Sequence, residues 1–493
     1  MSRRVCIPFV LLGVVAACAT NPVTGQRELM FMNEAQEVAI AQESDSQIKE
    51  EMGVYNDSEL QAYVDDIGQR MAMISERPQL PWRFTVVDVP AVNAFAVPGG
   101  AIYITRGILP FLDSEAELAA VVGHEIGHVT ARHSAQQYTR QISGQLGLLA
   151  LEVFVPQARS FGQLSSQALG LLFLRYGRED ELQADRLGAR YEATLGWDPA
   201  AAPAFLSMLG RLAEAEGNRR GVPNWMSTHP DPLSRVKEII STVAELKSGG
   251  GSFATNRDEW FRRIDGIVYG DNPEQGLVLD SAFLHPVLRF RIDFPDQWEI
   301  VNSSQQVMAQ APGGDVLMIL RVVREPQGQN IREIALNSMR AAGFRLTEGK
   351  PEAIGSFNAY VGVYQGQLEG LGAVTMRAAH MLHDGEVYLI AGAVAPEGFR
   401  QADSAFLSSI RSFRRLSVAE AEAIHPNRVG LYVVRNGDTW KSIAERPGGV
   451  VTPATLATMN RATLATQPQR GARIKIVVSG KSRTVSGRRI ADG

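Results

Sequence analysis

His124 and His128 stand four residues apart in the stretch VVGHEIGHVTARH, and Glu125 follows the first of them. On a helix, residues four apart are offset by only about 40°, so the two imidazoles project side by side and can hold one metal ion. Glu125 sits about 100° round from His124, near enough to take a proton from a water at the metal but not placed as a ligand. Hydrolytic zinc takes three protein ligands and leaves one position open. The pattern points to one Zn2+ per chain and to zinc-assisted hydrolysis of an amide, with Glu125 as general base.

The third ligand must come from elsewhere. His133 lies nine residues after His124, about 180° round the same helix. A ligand further along this helix would need a histidine at 134 and a turn-forming glycine at 131, and the chain has Ser134 and Ala131. His133 is therefore expected behind the site or on the surface. Glu181 and Asp185, in RYGREDELQADRLGARY, are again four apart. A carboxylate can complete a set of two histidines and one glutamate. A second carboxylate can hold a ligand histidine by its other ring nitrogen. An acid pair at this spacing also suits a solvated helix face, and spacing alone does not choose between the two.

These residues need helices and a small sheet to hold them. The segment AELAAVV before His124 is apolar and helix-forming, and Ser114 with Glu117 fits a capping box at its start. Helical periodicity runs from Glu34 to about Glu76. Trp82–Val89 reads as a strand, and Asn93–Thr105 as two strands joined at Pro98-Gly99-Gly100. Further helices run to about Leu246, where KSGGGS (Lys247–Ser252) makes a flexible break.

His124-Glu125-Ile126-Gly127-His128, taken with Glu181-Leu182-Gln183-Ala184-Asp185, resembles the gluzincin metalloprotease family that includes the CaaX prenyl-protein endoprotease, the HtpX membrane protease and the periplasmic protease-chaperone BepA. NPVTG near the start, NAFAVPGGAIYITRGIL, and THPDPLSR (Thr228–Arg235) agree with the same pattern, over about residues 20–245. The resemblance implies a mainly helical zincin protease domain with a small sheet. It implies Glu181 as third zinc ligand, Asp185 behind a ligand histidine, and Arg178 beside the site, although Gly177 precedes it where the family often has serine. It also suggests that Asn93, Ala94, Phe95 and Ala96 form a strand that pairs with extended substrate backbone. His229 is a catalytic candidate. It is followed by Pro230, which disfavours helix at His229. It would either donate to the oxyanion or occupy the metal's open position until a client displaces it. The chain lacks the membrane helices of the CaaX and HtpX proteases and so resembles the soluble BepA-like branch. It also lacks the helical repeats that follow BepA's protease domain, so BepA's partners do not carry over.

Arg3 and Arg4 precede an apolar run from Val5 to Ala17. Thirteen residues are too few to span a bilayer, which needs about 20. A basic start, a short apolar core and small residues form an export signal. Val15-Ala16-Ala17-Cys18 resembles a bacterial lipobox, which implies cleavage before Cys18 and lipid on that residue; a plain secretory signal cut nearby is the alternative. Ala19, in place of an aspartate, favours the outer membrane. The only cysteines are Cys6 and Cys18, so lipidation of Cys18 leaves no thiol for a disulfide. Removing residues 1–17 takes away two arginines and no acids, so the formal charge becomes −4 − 2 = −6. The formal net charge of −4 for the whole chain gives no reason to expect nucleic acid.

The fold class is α+β, and 493 residues imply several domains. Residues 18–246 are expected as the protease domain, with 18–33 a tether. Residues 247–275 and 416–431 read as linkers, and 479–493 as a basic tail. Leu146–Val155 is apolar, holds Glu152 and is followed by Pro156, which suits a buried or lid helix. Residues 276–415 read as an α+β domain of short strands, with helical stretches at Asn330–Ala342 and Gly398–Phe413. Its FRIDFPDQWEIV is similar to the PsbP-like sandwich. Tyr432–Val478 resembles a LysM module of strand, two helices and strand, carried by Gly437, Asp438, Thr439, Ile443, Ala444 and Asn460, with Trp440 where leucine is usual. That resemblance implies binding of glycans such as peptidoglycan through Gly437, Asp438, Thr439 and Asn460, or a structural module. As a separate module, its removal is expected to leave cleavage intact. Together these readings describe an exported, lipid-anchored zinc endopeptidase of the bacterial envelope, acting on unfolded or misassembled periplasmic and outer-membrane proteins. An envelope scaffold or chaperone, with hydrolysis secondary, is the other class the sequence admits.

Overall fold

The computed structural model describes residues 18–147, 175–216, 225–368, 371–446 and 448–480. These form two compact units. One runs to Gly270 and resumes at Asn427–Ser479; the other holds Asp271–Pro426.

The first unit opens with a hairpin of β1 (Cys18–Thr20) and β2 (Arg27–Leu29). Helices α1 (Glu34–Met52) and α2 (Ser58–Met73) follow, then β3 (Arg83–Val87), β4 (Ala94–Val97) and β5 (Ala101–Thr105). Strand β5 is central, parallel to β3 and antiparallel to β4. The β4–β5 turn needs its glycines. Gly99 and Gly100 have φ of +95° and +103°, and a Cβ at Gly99 would sit 2.3 Å from the Glu37 carbonyl oxygen. Next come α3 (Glu115–Thr130), α4 (His133–Gly147), α5 (Arg178–Thr194), α6 (Ala201–Glu216), α7 (Pro232–Ser248), α8 (Arg257–Ile264) and β6 (Val268–Tyr269).

Every residue of α3 is buried. Its small residues decide how it packs. A Cβ on Gly123 would lie 3.0 Å from Gly188 Cα, and one on Gly127 would lie 3.0 Å from Ala184 Cα. Helices α3 and α5 therefore touch backbone to backbone, a distance only glycine permits. Ser114 caps α3 by accepting the Glu117 amide at 3.2 Å, as the capping box predicts. The Glu117 carboxylate reaches back one residue further than expected, to the Asp113 amide at 2.7 Å.

Three stretches read as connectors are built in: in 416–431, Leu416 is buried with Ala282 and Leu284, and a strand already starts at Asn427. The segment after Cys18 is seated rather than free. The buried Asn21 amide donates to the Ala131 carbonyl at 3.3 Å, Arg132 donates to the Met32 carbonyl at 2.7 Å, and the Phe31 amide donates to Thr139 Oγ1 at 3.0 Å. In 247–275, RDEWFRRI is amphipathic and forms α8, which buries Trp260, Phe261 and Ile264 in the main core. The Trp260 indole donates to the Leu112 carbonyl at 2.9 Å. The glycine run ends α7, and the segment between it and α8 is itself tied down, the Ala254 amide donating to the Gly196 carbonyl at 2.9 Å.

The second unit pairs two antiparallel sheets. The small sheet has strand order β17-β9-β8-β7, from β7 (Leu277–Leu279), β8 (Ala282–His285), β9 (Phe290–Asp293) and β17 (Arg414–Arg415). The large one has order β10-β11-β12-β16-β15-β14-β13, from β10 (Glu299–Asn302), β11 (Gln306–Gln310), β12 (Val316–Val322), β13 (Arg345–Ile354), β14 (Phe357–Leu368), β15 (Gly372–His383) and β16 (Glu386–Val394). Helices α9 (Ile331–Ala341) and α10 (Phe399–Ser412) match the two stretches read from the sequence. They cover opposite faces of the large sheet: Met339 packs with Met376 and Ala378, Phe406 with Ala379 and Met381.

The chain then returns to the first unit with β18 (Asn427–Val433), α11 (Trp440–Glu445), α12 (Pro453–Met459) and β19 (Arg473–Val478). Strand β18 lies between β19 and β6 in one antiparallel sheet. Among the described residues no helix is long and apolar enough to cross a membrane. Most of the apolar stretch Leu146–Val155 lies outside them.

Candidate metal centre

The close crossing of α3 and α5 brings the two sequence motifs face to face. His124 Nε2 lies 3.0 Å from His128 Nε2 and 3.6 Å from Glu181 Oε2, and His128 Nε2 lies 3.4 Å from Glu181 Oε1. His229 joins them from the turn before α7, with Nδ1 3.2 Å from His124 Nε2 and 3.0 Å from Glu181 Oε1. All four are buried, and one ligand atom from each lies within 4.8 Å of the others. This group could hold one metal ion.

The hydrogen bonds around the ring assign the protons. His124 Nδ1 donates to Asp185 Oδ1 at 2.9 Å, which leaves Nε2 bare. His133 Nε2 donates to Gln183 Oε1 at 2.9 Å, so its Nδ1 accepts from His128 Nδ1 at 2.9 Å and the His128 Nε2 is bare as well. His133 is thus the support behind His128 that its helix position allows. Two bare nitrogens 3.0 Å apart repel unless a cation lies between them. Zinc–nitrogen bonds of about 2.0–2.1 Å at a tetrahedral angle place two ring nitrogens about 3.3 Å apart, so the donor set fits zinc. Burial keeps both rings neutral, as ligation requires: it pushes His124 down to about 3 and lowers His128.

Glu125 is fully buried, and neither carboxylate oxygen accepts a hydrogen bond. Its Oε1 lies 3.5 Å from His229 Nε2. Burial, and after it the Glu181 carboxylate, push the Glu125 carboxyl well above the usual range. That is the character of a proton acceptor kept out of the ligand set.

Arg235 was hidden in THPDPLSR. Its Nε and Nη2 donate to Asp185 at 2.8 and 2.6 Å, and Nη1 pairs with Glu181. Burial would raise the Asp185 carboxyl, but the Arg235 guanidinium outweighs it and holds the group down at about 2. The role expected of Arg178 falls to Arg235 instead. Arg178 opens α5 on its exposed side, whereas Asp231–Pro232 turns the chain so that Arg235 enters the core on the first turn of α7. Two aromatic rings were also missed. Tyr176 stacks on His128 at 3.9 Å between ring centres, with its hydroxyl bonded to Ser134 Oγ at 2.8 Å. Trp225 stacks on His229 at 4.3 Å.

Strand β4, carrying Ala94, Phe95 and Ala96 after Asn93, is one of the two edge strands of its sheet and packs on α3. The Phe95 ring stacks on Tyr103 and faces α1, leaving Ala94 and Ala96 in the core that α3 shares. Cys18 begins β1, paired with Leu29. The four residues read as glycan contacts lie in the βααβ segment. Asp438 accepts from the Arg435 amide and the Tyr432 hydroxyl, both at 2.7 Å, and from Arg446 at 2.9 Å. Thr439 caps α11, and Gly437 supplies a φ of +83°. Asn460 donates to the Leu456 and Lys475 carbonyls at 2.9 Å and accepts the Lys475 amide at 2.8 Å. The polar atoms of Asp438 and Asn460 therefore serve the fold of the segment itself.

Residues 58–243 match peptidase family M48. The Beta-barrel assembly-enhancing protease of Yersinia pestis is 27% identical over 351 residues, 66% of this chain and 70% of that protein. Its namesake in Escherichia coli (strain K12) is 30% identical over 211 residues, and the chain spans 42% of its length. The Mitochondrial metalloendopeptidase OMA1 of Schizosaccharomyces pombe is 32% identical over 235 residues, 46% of this chain and 66% of that protein. Among solved structures, the cyanobacterial PsbP of Synechocystis sp. PCC 6803 covers 28% of this chain at 11% identity with a TM-score of 0.23, which assigns no fold.

Proposed function

We propose that this chain, which carries a metalloendopeptidase domain of peptidase family M48 at residues 58–243, cleaves unfolded or misassembled proteins of the bacterial envelope. The observation that carries the proposal is the buried set of His124, His128 and Glu181, with an unbonded Glu125 carboxylate beside it. A zinc ion held there supplies Lewis acidity, which makes water a nucleophile near neutral pH. Glu125 takes the proton of the attacking water and returns it to the departing amine. Asp185 and His133 fix the ligand rings, and Arg235 holds Glu181 and Asp185 in place. The β4 edge offers backbone to an extended substrate, a mode of recognition that tolerates many sequences. The names of the bacterial relatives support envelope quality control as the setting. A soluble unfolded protein should be cut by the full chain, not cut after chelation, and cut again when zinc is restored. Undiminished cleavage in chelator would overturn the metal mechanism, and client binding without any cleavage would favour the chaperone reading.

For His229 the closeness of Nδ1 to His124 Nε2 and Glu181 supports a histidine that occupies the open position, rather than an oxyanion donor. On that reading His229→Ala raises cleavage of an unfolded substrate at matched zinc content. An oxyanion donor would instead lose about 10²–10³ in kcat. Initial rates of the two proteins separate the readings.

The anchor rests on the lipobox at Val15–Cys18. Two or more acyl chains bind a membrane stably where one does not. Cys18→Ser should therefore leave the membrane fraction or stall before processing. A mature Cys18→Ser protein that still sediments with outer membranes would contradict it. Peptidoglycan is not part of the proposal, because Asp438 and Asn460 are taken up within their own segment.

A further inference from the structure

We infer that the C-terminal βααβ segment is a working part of the peptidase, and that Arg461 is a positioning residue that holds the helix carrying His124 and His128 through Glu117. The inference rests on the metallopeptidase reading above. It replaces the expectation that this segment can be removed without loss of cleavage.

Arg461 follows α12 in the left-handed region, with φ of +61°. Its Nε donates to Glu117 Oε1 at 2.8 Å, and its Nη2 donates to the Phe111 carbonyl at 2.7 Å and pairs with the second Glu117 oxygen. Glu117 lies in the first turn of α3 and is buried. Lys475 of β19 is fully buried and reaches the same place, donating to the Leu112 carbonyl at 2.6 Å, 3.4 Å from Asp113. Arg257 links the two sides, with Asp113 at 2.8 Å and the Arg473 carbonyl at 3.2 Å. Below these charges Val429, Met459 and Val477 join the core that contains Val121, Val122 and Ile126 of α3. The backbone is continuous too: β18 pairs with β6, and the Gly266 amide donates to the Val429 carbonyl at 2.9 Å.

Apolar burial alone would hold the segment in place but is not directional. The forked Arg461–Glu117 contact is directional, because a guanidinium matches a carboxylate in one plane. It acts where α3 begins. Glu117 is seven residues before His124, about 10 Å along a rigid helix. A small tilt there moves His124 and Glu125 relative to Glu181 on α5, and a displacement of about 1 Å at a catalytic group can cost up to 10²-fold in rate.

The test uses the full chain with Arg461→Ala, Arg461→Lys and, as a control in the same segment, Leu464→Ala, an exposed residue. Each is measured well below its Tm for kcat and KM on an unfolded substrate, and for zinc affinity by competition with a chromophoric chelator. Arg461→Ala should lose about tenfold in kcat with KM nearly unchanged, and should bind zinc more weakly. Arg461→Lys should recover part of both, and Leu464→Ala should match the wild type. A folded Arg461→Ala with wild-type kcat and wild-type zinc affinity would overturn the inference, whatever its Tm. If Arg461→Ala fails to fold, Arg461→Lys against Leu464→Ala decides by the same two readings. If the wild type cleaves nothing, the peptidase reading has failed, and zinc affinity alone still decides whether Arg461 positions the helix.

Discussion

Replacing Glu125 with glutamine is expected to lower kcat by about 10²–10⁴, the range a general base contributes, with zinc retained and stability equal or higher. Each part follows from a different observation. Glutamine has the shape of glutamate, and no hydrogen bond is lost, because the Glu125 oxygens make none. The charge removed is a buried one that desolvation opposes, so folding does not suffer. The three residues His124, His128 and Glu181 stay as they are, so the donor set is intact. Only the proton acceptor goes. Cleavage assays, metal content and thermal unfolding check the three parts. A glutamine variant with full turnover would remove Glu125 from the mechanism.

Arg235→Met is expected to produce the largest loss of stability of any single change near the site. The side chain is fully buried and neutralises two buried carboxylates, Glu181 and Asp185. Removing one partner of such a pair costs about 3–5 kcal/mol, because the charge left behind is unpaired. For a unit of this size that corresponds to a Tm lower by about 10 °C in the metal-free protein. Zinc should recover more stability in the variant than in the wild type, since a dication takes over part of the charge that Arg235 balanced. Unfolding curves with chelator and with zinc measure both. A metal-free Tm within about 2 °C of wild type would show that Arg235 is dispensable.

The site was legible wherever chemistry and helical period coincide. His124, Glu125 and His128 follow from a spacing of four on one helix; Glu181 and Asp185 share that spacing, but it was the resemblance to the gluzincin family that set them apart from a solvated acid pair. The sequence could not show that α3 and α5 meet at Gly123 and Gly127, although the glycines were in view. It could not single out Arg235, because nothing in THPDPLSR distinguishes a buried arginine from a surface one until the turn at Asp231 is known. Arg178 was favoured by its place in a motif, and its position at the exposed start of α5 shows the limit of that argument. The largest gap concerns order along the chain. Arg461 and Glu117 are 344 residues apart, and no periodicity reports a contact of that separation. The same holds for α8, whose Trp260 and Phe261 pack into a core made mostly of residues far earlier in the chain. In the second unit the two helical stretches were readable, but the strands expected to be short were not: β13, β14 and β15 run over 10, 12 and 12 residues.

The most direct measurement of the central claim is the zinc content of the purified full chain and of His128→Ala. One zinc per chain is expected in the first and none retained in the second, because His128 Nε2 is one of the four buried ligand atoms that could hold the ion, with the ring proton on Nδ1. A wild-type chain that cleaves protein with no zinc bound, or a His128→Ala variant that keeps a full complement, would contradict it.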